Sequence, residues 1–166
     1  KSEHIGDHPM HSEPFSVSRR FVAMLRDKGD RPLTAVGTTS TRCLESLYFI
    51  GVHCIEKGEP GLVEQWEPYR ETGYGYTLTE SMTALLDYMD RHALTSLTSR
   101  TRIIIVPGYR FRVIDYLVTN FHQPQSTLLL LIGAFVGDAW HQIYEYALGH
   151  DFRFLSYGDS SLLQKV

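Results

Sequence analysis

Cysteine is scarce in this chain: its 166 residues hold two, Cys43 and Cys54, eleven apart, with no CxxC pair and no disulfide-dense framework. That excludes a disulfide-stapled scaffold and makes a reducing, cytoplasmic setting the expectation, with Cys43 on a helix and Cys54 on a strand after it. Long apolar runs are missing as well. The longest, "STLLLLIGAFVG" from Ser126 to Gly137, falls short of the roughly 20 residues that span a bilayer, so a buried helix is expected there and no membrane partner. No signal-peptide pattern opens the chain. Excess positive charge is lacking too. A net charge of -3 and a pI near 6.2 argue against a broad basic face for nucleic acid and leave Arg100, Arg102, Arg110 and Arg112 as the local candidates for RNA. Internal repeats, low-complexity segments, a Gly-Lys phosphate loop, a GxGxxG turn and a GxSxG elbow are all absent, which sets aside the commonest nucleotide and hydrolase signatures.

What is present is a globular composition, with 43% hydrophobic, 21% charged and 12% aromatic residues, and a length that suits one domain. Val17, Phe21, Val22, Met24 and Leu25 recur at near-helical spacing up to Lys28-Gly29. "RPLTAVG" reads as a short strand, and "TTSTRCLESLYFIG" as a helix opened by hydroxyl caps. Glycines and prolines from Gly58 to Gly75 predict irregular surface, a lid or an insertion, with one strand at Gly61 to Trp66. Thr77 and Glu80 form a capping box ahead of a helix that buries Met82, Leu85, Leu86 and Met89. "RIIIVPGYRFRVIDYLVTN" predicts two strands around Pro107-Gly108, as a hairpin or bent pair. A helix follows Ser126, another ends at Gly149, and a last strand ends at Tyr157-Gly158-Asp159. Strands alternating with helices place the chain in the α/β class, a mixed sheet with flanking helices.

In open α/β sheets, ligands gather where strand carboxyl ends meet helix N-termini, because orphan amides and the helix dipole favour anions there. Three corners qualify: Val36 to Arg42, Thr119 to Thr127 and Ser156 to Ser161. In the first, Thr38, Thr39, Ser40 and Thr41 exceed the one oxygen that a cap needs, so a cradle for phosphate, carboxylate or ribose stands beside plain capping. In the second, His122 reads either as a structural histidine or as a proton-transfer group, imidazole being able to act as acid or base near neutrality. The N-terminal "HIGDHPMHSE" offers His4, His8, His11, Asp7 and Glu13, but its spacings match no familiar zinc pattern and no metal is expected.

Together, "HPMHSE", "AVGTTSTRCLES", "PGYRFRVIDYLVTNFHQPQSTLLLL" and "FRFLSYGDSSLL" resemble, in order, the S-adenosylmethionine:tRNA ribosyltransferase-isomerase family of queuosine biosynthesis, over about Ile5 to Leu163. The resemblance implies an enzyme that moves the ribosyl part of S-adenosylmethionine, as co-substrate, onto 7-aminomethyl-7-deazaguanine at the wobble position of tRNA. The product is epoxyqueuosine-tRNA, and adenine and methionine leave. Residue by residue, it puts Thr38, Thr39, Ser40 and Arg42 on an anionic or ribose portion of the ligand, with Glu45 one turn along. It adds Asn120, Ser126, Thr127, His8, Glu13, Tyr157, Gly158 and Asp159 as binding positions, with His122 and His11 as leading candidates for the base. It also implies that residues 1–166 are the carboxyl-terminal part of a larger α/β domain, cut from a longer chain. On this expectation the amino-terminal half and its β-barrel are absent, 51–99 is an insertion, and a homodimer could form through the surface left by the missing half. Gln123 and Gln125 depart from the family pattern. A nucleoside- or tRNA-binding module without turnover is the rival expectation.

Overall fold

The Ser18 hydroxyl accepts a hydrogen bond from Phe21 N at 3.2 Å, and this cap decides where the first helix begins. In the computed structural model, which describes residues 9–70, 75–124 and 126–166, helix α1 therefore spans Arg19–Arg26 and the residues before it form strand β1, Glu13–Ser18. Val17, expected on the helix, is a strand residue paired with Leu97 of β3, Ser96–Thr101. Among the described residues a mixed α/β fold of small sheets and five α-helices results. It divides into two compact units, Lys1–Gly29 with Ser46–Ile104 and Asp30–Glu45 with Ile105–Val166.

In the first unit β1 and β3 run antiparallel, Glu13 opposite Thr101 through Ser18 opposite Ser96. Helix α2, Thr38–Lys57, contributes its residues from Ser46 onward, and α3 is Leu78–Arg91. The α3 capping box forms as the sequence predicts, and Met82, Leu85, Leu86 and Met89 are buried as expected. A Cβ on Gly51 would collide with Ser81, whose Oγ donates to Tyr48 O at 2.6 Å; only glycine lets α2 and α3 approach this closely. Both cysteines lie on α2, so the strand expected around Cys54 does not exist. Val52 and Cys54 are buried all the same, and the 20 residues of α2, more than five helical turns, satisfy the backbone there without a sheet. The strand expected at Gly61 to Trp66 reduces to one bridge, Val63 beside Thr101, ahead of a 3-10 turn at Glu67–Tyr69.

In the second unit β2, Thr34–Val36, runs parallel to β4, Tyr116–Asn120, and β5, Ser160–Gln164, pairs antiparallel with β4 on its other side. Ala35, Leu117 and Leu163 make one buried row across the three strands. Helices α4, Thr127–Val136, and α5, Ala139–Gly149, complete the unit, and α4 buries Leu131, Ile132, Phe135 and Val136. Two expectations fail here. The last strand follows Tyr157-Gly158-Asp159 instead of ending there, since residues 155–157 form a 3-10 turn. The hairpin around Pro107 is absent as well. Ile103, Ile104 and Ile105 are buried without being a strand, and β3 and β4 belong to different sheets. Loop carbonyls take the amides of the first half, Arg102 N donating to Val63 O at 2.9 Å and Ile104 N to Gln65 O at 3.1 Å. A side chain takes those of the second half. Glu45 accepts from Arg112 N, Val113 N and Ile114 N at 2.9, 3.0 and 3.0 Å. Among the described residues, no helix is long and apolar enough to cross a membrane.

Candidate functional site at one edge of the second sheet

Parallel pairing of β2 with β4 puts their carboxyl ends at the same edge, Val36 opposite Val118. Antiparallel pairing brings the start of β5 there too, Ser160 opposite Asn120. The three corners singled out in the sequence therefore share one edge of one sheet, although the third leads into a strand and not a helix. At the first corner Gly37 has φ +90, a conformation that side chains resist, and its N–H donates to Val118 O at 2.8 Å. That turn lets α2 start immediately. Thr41 Oγ1 donates back to Gly37 O at 3.0 Å, Thr38 and Arg42 are buried, and Thr39 and Ser40 stay exposed at the helix N-terminus.

At the second corner Ser126 is the N-cap of α4, its hydroxyl accepting from Leu129 N at 3.2 Å, and Thr127 is the first helical residue. Neither α2 nor α4 has an acidic residue in its first turn, so both positive dipole ends face the edge uncompensated by local carboxylates. His122 is half-buried. Its Nε2 lies 3.0 Å from Thr119 Oγ1, its backbone N–H donates to the Tyr144 hydroxyl at 2.9 Å, and burial lowers its affinity for a proton below that of a free imidazole. The ring is therefore neutral at pH 7, as a general base must be.

The third corner is tied to the second. Asn120 Nδ2 donates to Leu155 O at 2.6 Å and Leu155 N donates to Phe121 O at 2.9 Å, so both polar groups of this residue are held by the neighbouring corner. Leu155 has φ +60, a conformation that costs a non-glycine residue on the order of 1 kcal/mol and persists where its surroundings over-determine it. Asp159 accepts from Arg153 N at 2.5 Å and from Arg153 Nε at 3.4 Å, and the backbone bond first, then the guanidinium, holds its carboxyl below the usual range. Gly158 takes φ +119, and Tyr157 is 73% exposed.

Not every expected residue reaches this edge. Glu45 is fully buried, and the Tyr109 hydroxyl at 2.9 Å joins its three backbone donors. Burial pushes its carboxyl up, opposed by those four hydrogen bonds. Its geometry is that of a brace for residues 109–114 rather than a group turned to a ligand. His11 is exposed and Glu13 opens β1, both in the first unit. His8 and Gln125 lie outside the described residues. The four arginines divide, Arg100 and Arg102 in the first unit, Arg110 and Arg112 in the second. Among the described residues, no group of three or more His, Cys, Asp or Glu is placed to hold a metal. Thr119 stood at the start of the second corner with no role assigned, and Tyr144 escaped the sequence reading altogether. Tyr144 is 22 residues beyond His122, and no spacing rule links them.

Over 170 aligned residues the chain is 37% identical to the S-adenosylmethionine:tRNA ribosyltransferase-isomerases of Brucella ovis and Brucella canis, covering all of this chain and 36% of each relative. It thus spans about a third of their length. The crystal structure of S-adenosylmethionine tRNA ribosyltransferase from Thermotoga maritima superposes with a TM-score of 0.58 at 28% identity, over 90% of this chain and 39% of that one. A family model described as queuosine biosynthesis protein matches residues 1–163, and to that family the chain belongs.

Proposed function

We infer that this chain supplies the S-adenosylmethionine-handling edge of a tRNA ribosyltransferase-isomerase, as the carboxyl-terminal part of a longer enzyme. The observation that carries the reading is the convergence of the three corners on one sheet edge. The reaction must remove a proton from the ribose carbon beside the sulfonium, pass the ribosyl group to the aminomethyl nitrogen of the 7-deazaguanine in tRNA, and release adenine and methionine. Exposed Thr39 and Ser40, at the start of a helix with no local carboxylate, suit the methionine carboxylate or ribose hydroxyls. Thr38 and Arg42 stand behind them, and Asn120, Ser126, Thr127, Tyr157, Gly158 and Asp159 frame the opposite side. His122, neutral and half-buried, is the base. His8, His11 and Glu13 are carried as further ligand contacts of the complete enzyme, which works in the cytoplasm without a resident metal.

The test is adenine release from S-adenosylmethionine in the presence of 7-aminomethyl-7-deazaguanine tRNA, run on this chain and on its full-length parent. Release by the parent alone supports the reading and shows that essential parts lie outside these residues. Silence from both, with the parent folded and the tRNA verified, defeats it. A second reading, a binding or assembly module, draws on one feature of the second sheet. Val36 and Leu162, aligned with Val118, are 68% and 67% exposed on one face. An apolar row of this kind suits association, with another part of the protein or with a second copy as a homodimer. Sedimentation of the chain alone tests the homodimer.

A further inference from the structure

Thr119 is 4% exposed, and its hydroxyl oxygen lies between two groups of its own corner, 3.0 Å from His122 Nε2 and 3.4 Å from the Asn120 carbonyl. A threonine hydroxyl has one proton to donate and lone pairs to accept with. Donated to Asn120 O, the proton leaves the oxygen free to accept from Nε2–H. The imidazole then carries its proton on Nε2 and its lone pair on Nδ1. The backbone of the same histidine is held separately. Its N–H donates to the hydroxyl of Tyr144, whose ring meets Phe121 edge-on at 5.4 Å, and Phe121 in turn packs against Phe152 and Phe154 at 5.5 and 5.4 Å. Ring and backbone are thus anchored from two elements, β4 and α5.

A general base acts only when its lone pair lies along the line of the departing proton, and enzymes secure this by locking the base with groups that never touch the substrate. We propose that Thr119 is the positioning residue of the reaction, accepting from His122 Nε2–H so that Nδ1 presents its lone pair to the ribose carbon beside the sulfonium. This rests on the reading of His122 as the base. In the step itself the C–H bond breaks, an Nδ1–H bond forms, and the electron pair stays on carbon. The ring becomes an imidazolium whose Nε2–H still donates to Thr119. Because an acceptor at Nε2 favours the charged ring, Thr119 also holds the basicity of His122 above what burial alone would leave. The titratable group in contact with the corner is Tyr144 of α5, raised by burial and so neutral over the working range, and burial is the cause of the shift at His122 with no neighbouring charge added.

The experiment uses the full-length enzyme and adenine release, comparing Thr119→Val, Thr119→Ser and His122→Gln. Thr119→Val keeps the shape and removes the hydroxyl. It should lower kcat about tenfold, the worth of one hydrogen bond made by the reacting base, with KM for S-adenosylmethionine within about twofold of the parent. The acid limb of its pH profile should move to lower pH. Thr119→Ser, which restores the oxygen, should recover most of the rate and return the limb. If Thr119→Val matches the parent in kcat and acid limb while His122→Gln abolishes release, Thr119 does not position the base and the reading of His122 stands. If Thr119→Ser is as damaged as Thr119→Val, the methyl group and its packing are what matter, and the proposal fails. A near-normal His122→Gln overturns both the base and its positioning residue.

Discussion

His53 and His122 are the informative pair, one in each unit. His53 is 3% exposed, its Nε2 lies 2.5 Å from Glu67 Oε1, and its buried Nδ1 has no hydrogen-bond partner among the described residues. Glu67 Oε2 also accepts from Glu64 N at 3.0 Å, so the carboxylate pins the turn at Glu64 to Glu67. His122 has a hydroxyl beside it in place of a carboxylate, and it is only half-buried. By residue type, the His-Glu pair looks like the catalytic arrangement. By access it is the reverse: a sealed pair braces a loop, whereas a neutral ring at an accessible sheet edge can meet a substrate. Glu45 teaches the same point in the second unit, with four donors already on its two oxygens.

The largest effects that would sharpen this contrast lie in the sealed groups. Glu67→Ala and Glu45→Ala each strand buried donors and should each cost about 3 kcal/mol, read as a fall in urea midpoint. A cost near zero for either would mean that its group is not the brace described. His122→Ala should leave the midpoint close to the parent's while lowering full-length adenine release at least about 100-fold. A near-normal rate would shift the base to His11, whose own alanine variant should then carry the loss. Stability against pH comes next. Burial depresses the folded-state proton affinity of His122, so below about pH 6.5 the unfolded chain binds the extra proton and stability falls as pH drops. The fall levels off below the folded-state value, and His122→Gln should remove that part of the slope in unfolding curves between pH 5 and 7.5. The smallest effect is at Ser126→Ala, about 1 kcal/mol for the lost cap of α4. A rate loss beyond the stability change would add a ligand contact to its capping.

Periodicity and punctuation made some elements legible. The Thr77-Glu80 box, the four buried residues of α3 and the stops at Gly37 and Gly149 depend on neighbours within a few positions, which is the range over which helices and turns are encoded. Errors arose where a distant group captured the backbone. "RIIIV" has the composition of a strand, yet Val63 O and Gln65 O take its amides from the loop before α3. "RFRVI" reads the same way, and Glu45 on a helix takes three of its N–H groups. No local pattern announces such a capture.

The site divides along the same line. By itself the sequence determined which residue types stand at each corner, that their motifs follow the order of a known family, and that the net charge of -3 argues against a broad basic face. Only tertiary structure decided that β2 and β4 run parallel and β5 antiparallel, which brings the three corners to one edge, and that Glu45 turns inward while His122 meets Thr119 and Tyr144. The reason is physical. Caps, turns and helical faces are settled by contacts within one or two turns of chain, whereas strand order and the partner of a buried polar group depend on which distant segments exclude water together.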